Sequence, residues 1–204
     1  MYDTPCHISS FIVSRQLGNF PAEGFMKITE SVPENLTPTV SMNDLLLQEL
    51  DEEIAKTRTA LQRVPVDKKD FAPHSKSMPL GKLAPHVAQL AEFGVIVLTT
   101  PGLDFGTGSF VPLQFESGEQ LAQVFDESMR KVRDSLRALP AHAWTESWQL
   151  SLQGQTIFSG SRFLAYRSMF LNHLIHHRAQ LGVYLRLTGK QVPSTYGPSA
   201  DEGM

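Results

Sequence analysis

Three of the seven histidines fall within five residues, in the run Asn172-His173-Leu174-Ile175-His176-His177-Arg178. Positions four apart on a helix lie about 40° apart around its axis, so His173 and His177 share a face and can share an ion. Two imidazoles make a weak site, and a third ligand must arrive from another element. His86 qualifies, on the flank of a second apolar helical stripe, one turn from Leu83 and from Leu90. Three neutral imidazoles leave a divalent charge uncompensated and coordination positions open, as in catalytic rather than structural sites. Bound water would be acidified to a pKa of about 7, and a thiol in its place would be held as thiolate.

The plainer reading stands beside this one. His-x-x-x-His arises on helices by chance, and a lone histidine more often packs or makes an ordinary hydrogen bond. His-Glu-x-x-His is absent, so no protease general base is indicated. His176 is either a spare ligand or proton shuttle, or a packing and supporting residue, and its direction favours the latter. His74, beside Pro73, either bonds locally or lines a pocket mouth, while His7 and His142 carry no chemical context. Arg178 and Gln180 either orient a carboxylate or substrate or make rim contacts. Tyr166 and Tyr184 read chiefly as core aromatics. The Gly-Thr-Gly within Gly102 to Gly108 follows no strand and lacks dinucleotide-loop spacing, so it is set aside.

Four helices are needed to position these residues. The first spans about 43–63, capped by Ser41 or Asn43, with Leu45, Leu46, Leu50, Ile54 and Leu61 at helical spacing. The second opens near Ser77, with Pro79 in its first turn, and ends before Pro101. Leu121, Val124, Phe125, Met129, Val132 and Leu136 predict the third over about 118–138. Trp148, Leu150 and Leu152 alternate with polar residues before Gly154, which predicts a short hairpin between Trp144 and Ser159. The fourth helix covers about 161–188 and stops at Gly189. The expected fold is all-α, an antiparallel four-helix bundle with a short β-hairpin before the last helix. Residues 1–41 mix Pro5, Pro21, Pro33 and Pro38 with Ser and Thr without periodicity, and read as a poorly ordered extension to a domain over 42–204.

Composition excludes several classes. A net charge of -3 without a basic patch argues against nucleic acid. The longest apolar run, Val95-Ile96-Val97-Leu98, is far short of the roughly 20 residues of a membrane span, and a cytoplasmic protein is expected. The single Cys6 cannot form an internal disulfide and is a poor nucleophile candidate. Asn35-Leu36-Thr37 matches a glycosylation pattern without a secretory context.

The stretch Asn172-His173-Leu174-Ile175-His176-His177-Arg178-Ala179-Gln180-Leu181-Gly182-Val183-Tyr184-Leu185-Arg186 is followed by Pro193 and Tyr196-Gly197-Pro198-Ser199-Ala200-Asp201-Glu202. Upstream lie Pro73-His74-Ser75-Lys76-Ser77-Met78 and Leu83-Ala84-Pro85-His86-Val87-Ala88. Together these resemble DinB-like proteins over about residues 42–202, with Ala179 where relatives often have Gly. The resemblance implies a four-helix bundle, a homodimer, and a nickel or zinc ion on His86, His173 and His177. It also implies membership of a wider superfamily whose characterised members transfer low-molecular-weight thiols or isomerise substrates with a thiol cofactor. The expectation is an ion that activates a thiol or water against a small electrophilic substrate; a non-catalytic metal-binding stress or interaction module is the alternative. The family name refers to induction by DNA damage and implies no contact with DNA.

Overall fold

The first helix begins at a reciprocal cap. In the computed structural model, which describes residues 40–106 and 113–203, α1 (Met42–Gln62) follows Ser41, whose hydroxyl accepts the Asp44 backbone N–H at 3.1 Å. The Asp44 carboxylate in turn accepts the Ser41 backbone N–H at 3.1 Å, so two donors left open at a helix start are satisfied. Asn43, the other expected cap, reaches across the fold instead. Its side-chain amide donates to the Leu139 carbonyl at 2.8 Å, and its oxygen accepts from Trp144 Nε1 at 2.7 Å. Leu46, Leu50 and Leu61 are buried as the spacing predicts, but Leu45 is 52% exposed, while Glu53 and Thr57 are buried beside the apolar stripe. The expected extension over residues 1–41, with Cys6, His7 and Asn35-Leu36-Thr37, lies outside the described residues except for its last two positions.

α2 (Leu80–Thr99) starts three residues later than expected, with Pro79 as the extended residue before it rather than inside its first turn. The preceding loop captures the free donors there: Leu80 N–H donates to the Phe71 carbonyl at 2.8 Å and Gly81 N–H to the Lys69 carbonyl at 2.7 Å. Pro85 lies inside α2, directly before His86, and cannot donate a hydrogen bond to the previous turn.

α3 (Gly118–Ala138) matches the predicted span, capped by the Ser117 hydroxyl on the Gln120 N–H at 3.1 Å. Its buried stripe of Leu121, Phe125, Met129, Val132 and Leu136 faces α1 and α2. The final helical rod is built in three consecutive parts: α4 (Arg162–Ala165), a π-helical segment (Tyr166–Leu171) and α5 (Asn172–Leu187). Asn172 N–H donates to the Arg167 carbonyl five residues back, the signature of the π segment, where an uninterrupted α-helix was expected. Gly189, at φ 76°, ends the rod as predicted, with its N–H on the Arg186 carbonyl and the Lys190 N–H on the Leu185 carbonyl. α3 packs on α1 and α2, and both of those pack on α5.

The predicted hairpin is present as β2 (Ser147–Leu152) and β3 (Gln155–Ser161), turned by Gln153 and Gly154, both at positive φ. It is not alone. β1 (Gly102–Asp104) pairs parallel to β2, with Leu103 opposite Leu150, so a short edge strand does precede the Gly-Thr-Gly, contrary to the sequence reading. A Cβ on Gly102 would stand 2.6 Å from the Gln149 carbonyl oxygen, so the pairing requires glycine there. Residues 107 and 108 of that stretch lie outside the described residues.

Candidate metal centre

α2 and α5 pack together, and at their contact three half-buried imidazoles converge. His177 Nε2 lies 2.9 Å from His173 Nε2, and His86 Nε2 lies 3.5 Å from the same atom. All three ligand atoms fall within 4.8 Å of one another. Tetrahedral coordination at a zinc–nitrogen distance of about 2.0–2.1 Å places donor atoms about 3.3 Å apart, and the 2.9 and 3.5 Å separations at His173 bracket that value, so the three could hold one ion. The predicted residues His86, His173 and His177 are therefore brought together by the fold.

The opposite ring edges explain why Nε2 faces inward. His173 Nδ1 is 3.3 Å from the Met169 carbonyl and His177 Nδ1 is 2.7 Å from Gln180 Oε1. A carbonyl oxygen only accepts, so each Nδ1 carries the proton and each Nε2 presents a lone pair. Burial, then the neighbouring His177 and His173, pushes the His86 pKa down to about 4. Burial also lowers His173, with His177 adding to it. It lowers His177 too, against the Gln180 hydrogen bond. All three are thus held neutral near pH 7, the state in which imidazole binds a metal.

The other candidates separate clearly. His176 is exposed, and its Nε2 is 3.1 Å from Gln180 Nε2, so it supports Gln180 from outside the cluster, the packing and supporting role rather than a fourth ligand. His74 is exposed and its Nδ1 accepts the Lys76 N–H at 3.1 Å, a local turn contact. His142 is also exposed and sits 3.7 Å from Glu146. Tyr184 donates to the Met78 carbonyl at 2.8 Å and meets Phe71 edge on, while Tyr166 is fully buried against Trp144 and Phe170. Both fill the core, as expected.

Of the roles open to Arg178, the structure shows it holding a carboxylate inside the fold and not making a rim contact. It is 4% exposed and bound to Glu53, which is 3% exposed, with Thr57 Oγ1 and the Tyr196 hydroxyl completing the cluster. Burial raises the Glu53 pKa, but Arg178, Tyr196 and Lys56 outweigh it and leave the carboxyl below its ordinary value. Composition offered one hint: Glu53 and Thr57 are four apart on the otherwise apolar side of α1.

His86 stands between two clefts. On one side, a cleft of about 570 Å³ is lined by Lys69, Lys82, Gln89 and Gln114 among others. On the other, a cleft of about 360 Å³ reaches His173 and is walled by Leu90, Phe93, Ile96, Leu103 and Phe105. Phe93 lies two turns along the same face of α2 as His86, whereas nothing in the apolar periodicity marked Phe105, which stacks on Phe93 only because β1 brings it there.

The DinB family model matches residues 113–203, a span that contains His173 and His177 but not His86. No curated protein matches the chain. Among solved structures, a DinB-like protein from Bacillus subtilis is similar at 15% identity and TM-score 0.56, covering 74% of this chain and 96% of its own. A DinB-like protein from Bacillus cereus is 17% identical at TM-score 0.56, covering 77% of this chain and 99% of its own. A protein assigned to the DinB family from Exiguobacterium sibiricum is 21% identical at TM-score 0.53, covering 76% and 97%. The chain thus carries a DinB family match across the histidine-bearing helix and shares its fold with solved DinB-like proteins.

Proposed function

We propose that the protein is a metal-dependent enzyme in which His86, His173 and His177 hold one divalent ion, nickel or zinc, for reaction of a thiol or water with a small electrophile. The observation that carries this reading is the convergence of three imidazole nitrogens beside two clefts. Among the described residues no fourth histidine, cysteine or carboxylate joins the cluster, and a structural zinc site would have one. Such an ion, when bound, supplies Lewis acidity that favours hydroxide or thiolate at neutral pH.

The chain's own residues then have distinct tasks. His173 and His177 clamp from one helix face, and His86 closes the set from α2. Met169 and Gln180 hold the two α5 rings in the ligating tautomer. The cleft lined by Lys69 and Lys82 suits a small anionic thiol, since the two lysines outnumber Asp70, the acidic residue that also lines it. The four-helix-bundle and homodimer arrangements implied by the family belong to the same proposal. Contacts of α3 with α1 and α2, and of both with α5, support the bundle.

The test is metal content by mass spectrometry on untagged protein purified without chelators, beside His86→Ala and His173→Ala. About one ion per chain in the parent, lost in both variants, is expected for a three-histidine site. Thiols are then screened against chlorinated and epoxide substrates with and without chelator. Absence of any ion after reconstitution would sink the proposal and favour a helical module whose histidines simply pack.

A further inference from the structure

The apolar cleft beside His86 and His173 is assembled from four separate parts of the chain. α2 supplies Leu90, Phe93 and Ile96, β1 and the following turn supply Leu103 and Phe105, β2 supplies Leu150, and the π segment supplies Met169. Its volume of about 360 Å³ is at the small end of the range of about 300–1,000 Å³ common for ligand sites. Phe105 is 49% exposed, yet it stacks on Phe93 with ring centroids 6.1 Å apart and planes within 10°. Phe93 in turn meets the buried Trp148 edge on at 6.1 Å.

Leaving an aromatic ring half in water is unfavourable, and here the backbone holds it in place. The Asp104 carboxylate accepts N–H groups from Gly106 at 2.7 Å, Gln153 at 2.9 Å and Gly154 at 2.7 Å. The turn that carries Phe105 is thereby tied to the tip of the β2–β3 hairpin. Glu92 supplies the acidic side chain at this cleft, whereas lysines line the cleft on the other side of His86. With two lysines against Asp70, the second cleft is the more favourable of the two for an anion.

We propose that this cleft receives the uncharged apolar body of the substrate, an aromatic ring or branched aliphatic group, and presents its reacting end to the three-histidine centre. The inference rests on the metal-dependent reading above and names the class of electrophile for it. Asp104 acts here as a positioning residue, through Phe105.

The probe is 4-fluorobenzyl alcohol, titrated by fluorine NMR against the full chain in metal-free, zinc-loaded and cobalt(II)-loaded forms, beside 4-fluorobenzoate. The alcohol should bind the metal-free protein with a Kd of roughly a millimolar, as for a fragment of its size, and the benzoate about tenfold more weakly. Cobalt, but not zinc, should broaden the bound alcohol signal, because the cleft borders two of the ligands. Phe105→Ala should weaken alcohol binding about tenfold with metal content unchanged. Ile96→Glu does the same from another wall, so a folding defect in one variant cannot carry the result. Leu164→Ala, exposed and outside the cleft, should bind as the parent does. No saturable alcohol binding, or binding unchanged in both cleft variants, overturns the inference whatever the metal content. Saturable binding to a chain that takes up no metal supports the cleft as an aromatic site and removes the proposed function alone.

Discussion

His177 Nε2 faces His173 Nε2 across 2.9 Å while each ring's Nδ1 is spoken for by a carbonyl oxygen. With both protons on Nδ1, the two inward nitrogens oppose their lone pairs, an arrangement that a shared cation relieves. Added zinc or nickel should therefore raise the Tm of the metal-free parent, by about 2.7 kcal/mol of stability at a hundredfold excess over Kd. His173→Ala and His177→Ala should show no such rise in thermal melts. An equal rise in both variants would mean that the ion binds elsewhere.

Gln180 supports the centre without joining it, its oxygen on His177 and its nitrogen on His176. Gln180→Leu should lower metal affinity about 10–100-fold, the usual effect of losing a residue that orients a ligand. Gln180→Glu retains an acceptor and should recover most of that loss. Competition with a chromophoric chelator measures both, and an unchanged affinity in Gln180→Leu rules out the orienting role.

Acid should unfold the metal-free protein in a definable window. His86 is held neutral down to about pH 4, whereas the unfolded chain protonates it near the ordinary value of 6.5. The unfolded state thus binds more protons between those values, and stability falls as pH is lowered from about 6.5 toward 4. Removing the histidine in His86→Leu should flatten the Tm profile across that window. Glu53 is lowered instead, so its contribution persists above about 4.5 and is lost only as pH falls through its folded value. A profile of the same slope in His86→Leu would exclude His86 as the cause.

Arg178 and Glu53 form a buried pair between α5 and α1, each side chain 4% exposed. Arg178→Ala leaves the carboxylate buried without its partner and should cost about 3–5 kcal/mol in urea unfolding. The double change Glu53→Leu with Arg178→Met should recover much of that stability, because packing replaces a desolvated pair. Tyr196→Phe removes a hydroxyl that bonds both Glu53 and Arg178 and should cost about 1 kcal/mol. Additive costs in the Glu53 and Arg178 single variants would show that the pair is not coupled.

Local rules were enough for several features. Ser41, one of two expected caps, starts α1, and Gly189 stops α5, because each depends on neighbours within a turn. His173 and His177 share a face for the same reason, since the helical repeat decides it without reference to the rest of the chain. The choice of His86 needed one further step, the flank of an apolar stripe, and only the packing of α2 on α5 turns that into a 3.5 Å separation. The π segment before His173 was not legible, because apolar spacing is the same to within one residue for either helix type. Arg178 meets Glu53 across 125 positions, and β1 meets β2 across more than forty, so neither pairing leaves a periodic trace. Sequence alone determined which side chains can ligate and which helix presents two of them. The tertiary structure decided that a third comes within reach, that a polar and an apolar cleft flank it, and that Phe105 stands at the wall. Those outcomes depend on long-range closure of the chain, where one packing of several helices and a short sheet buries the core and fixes what lies beside it.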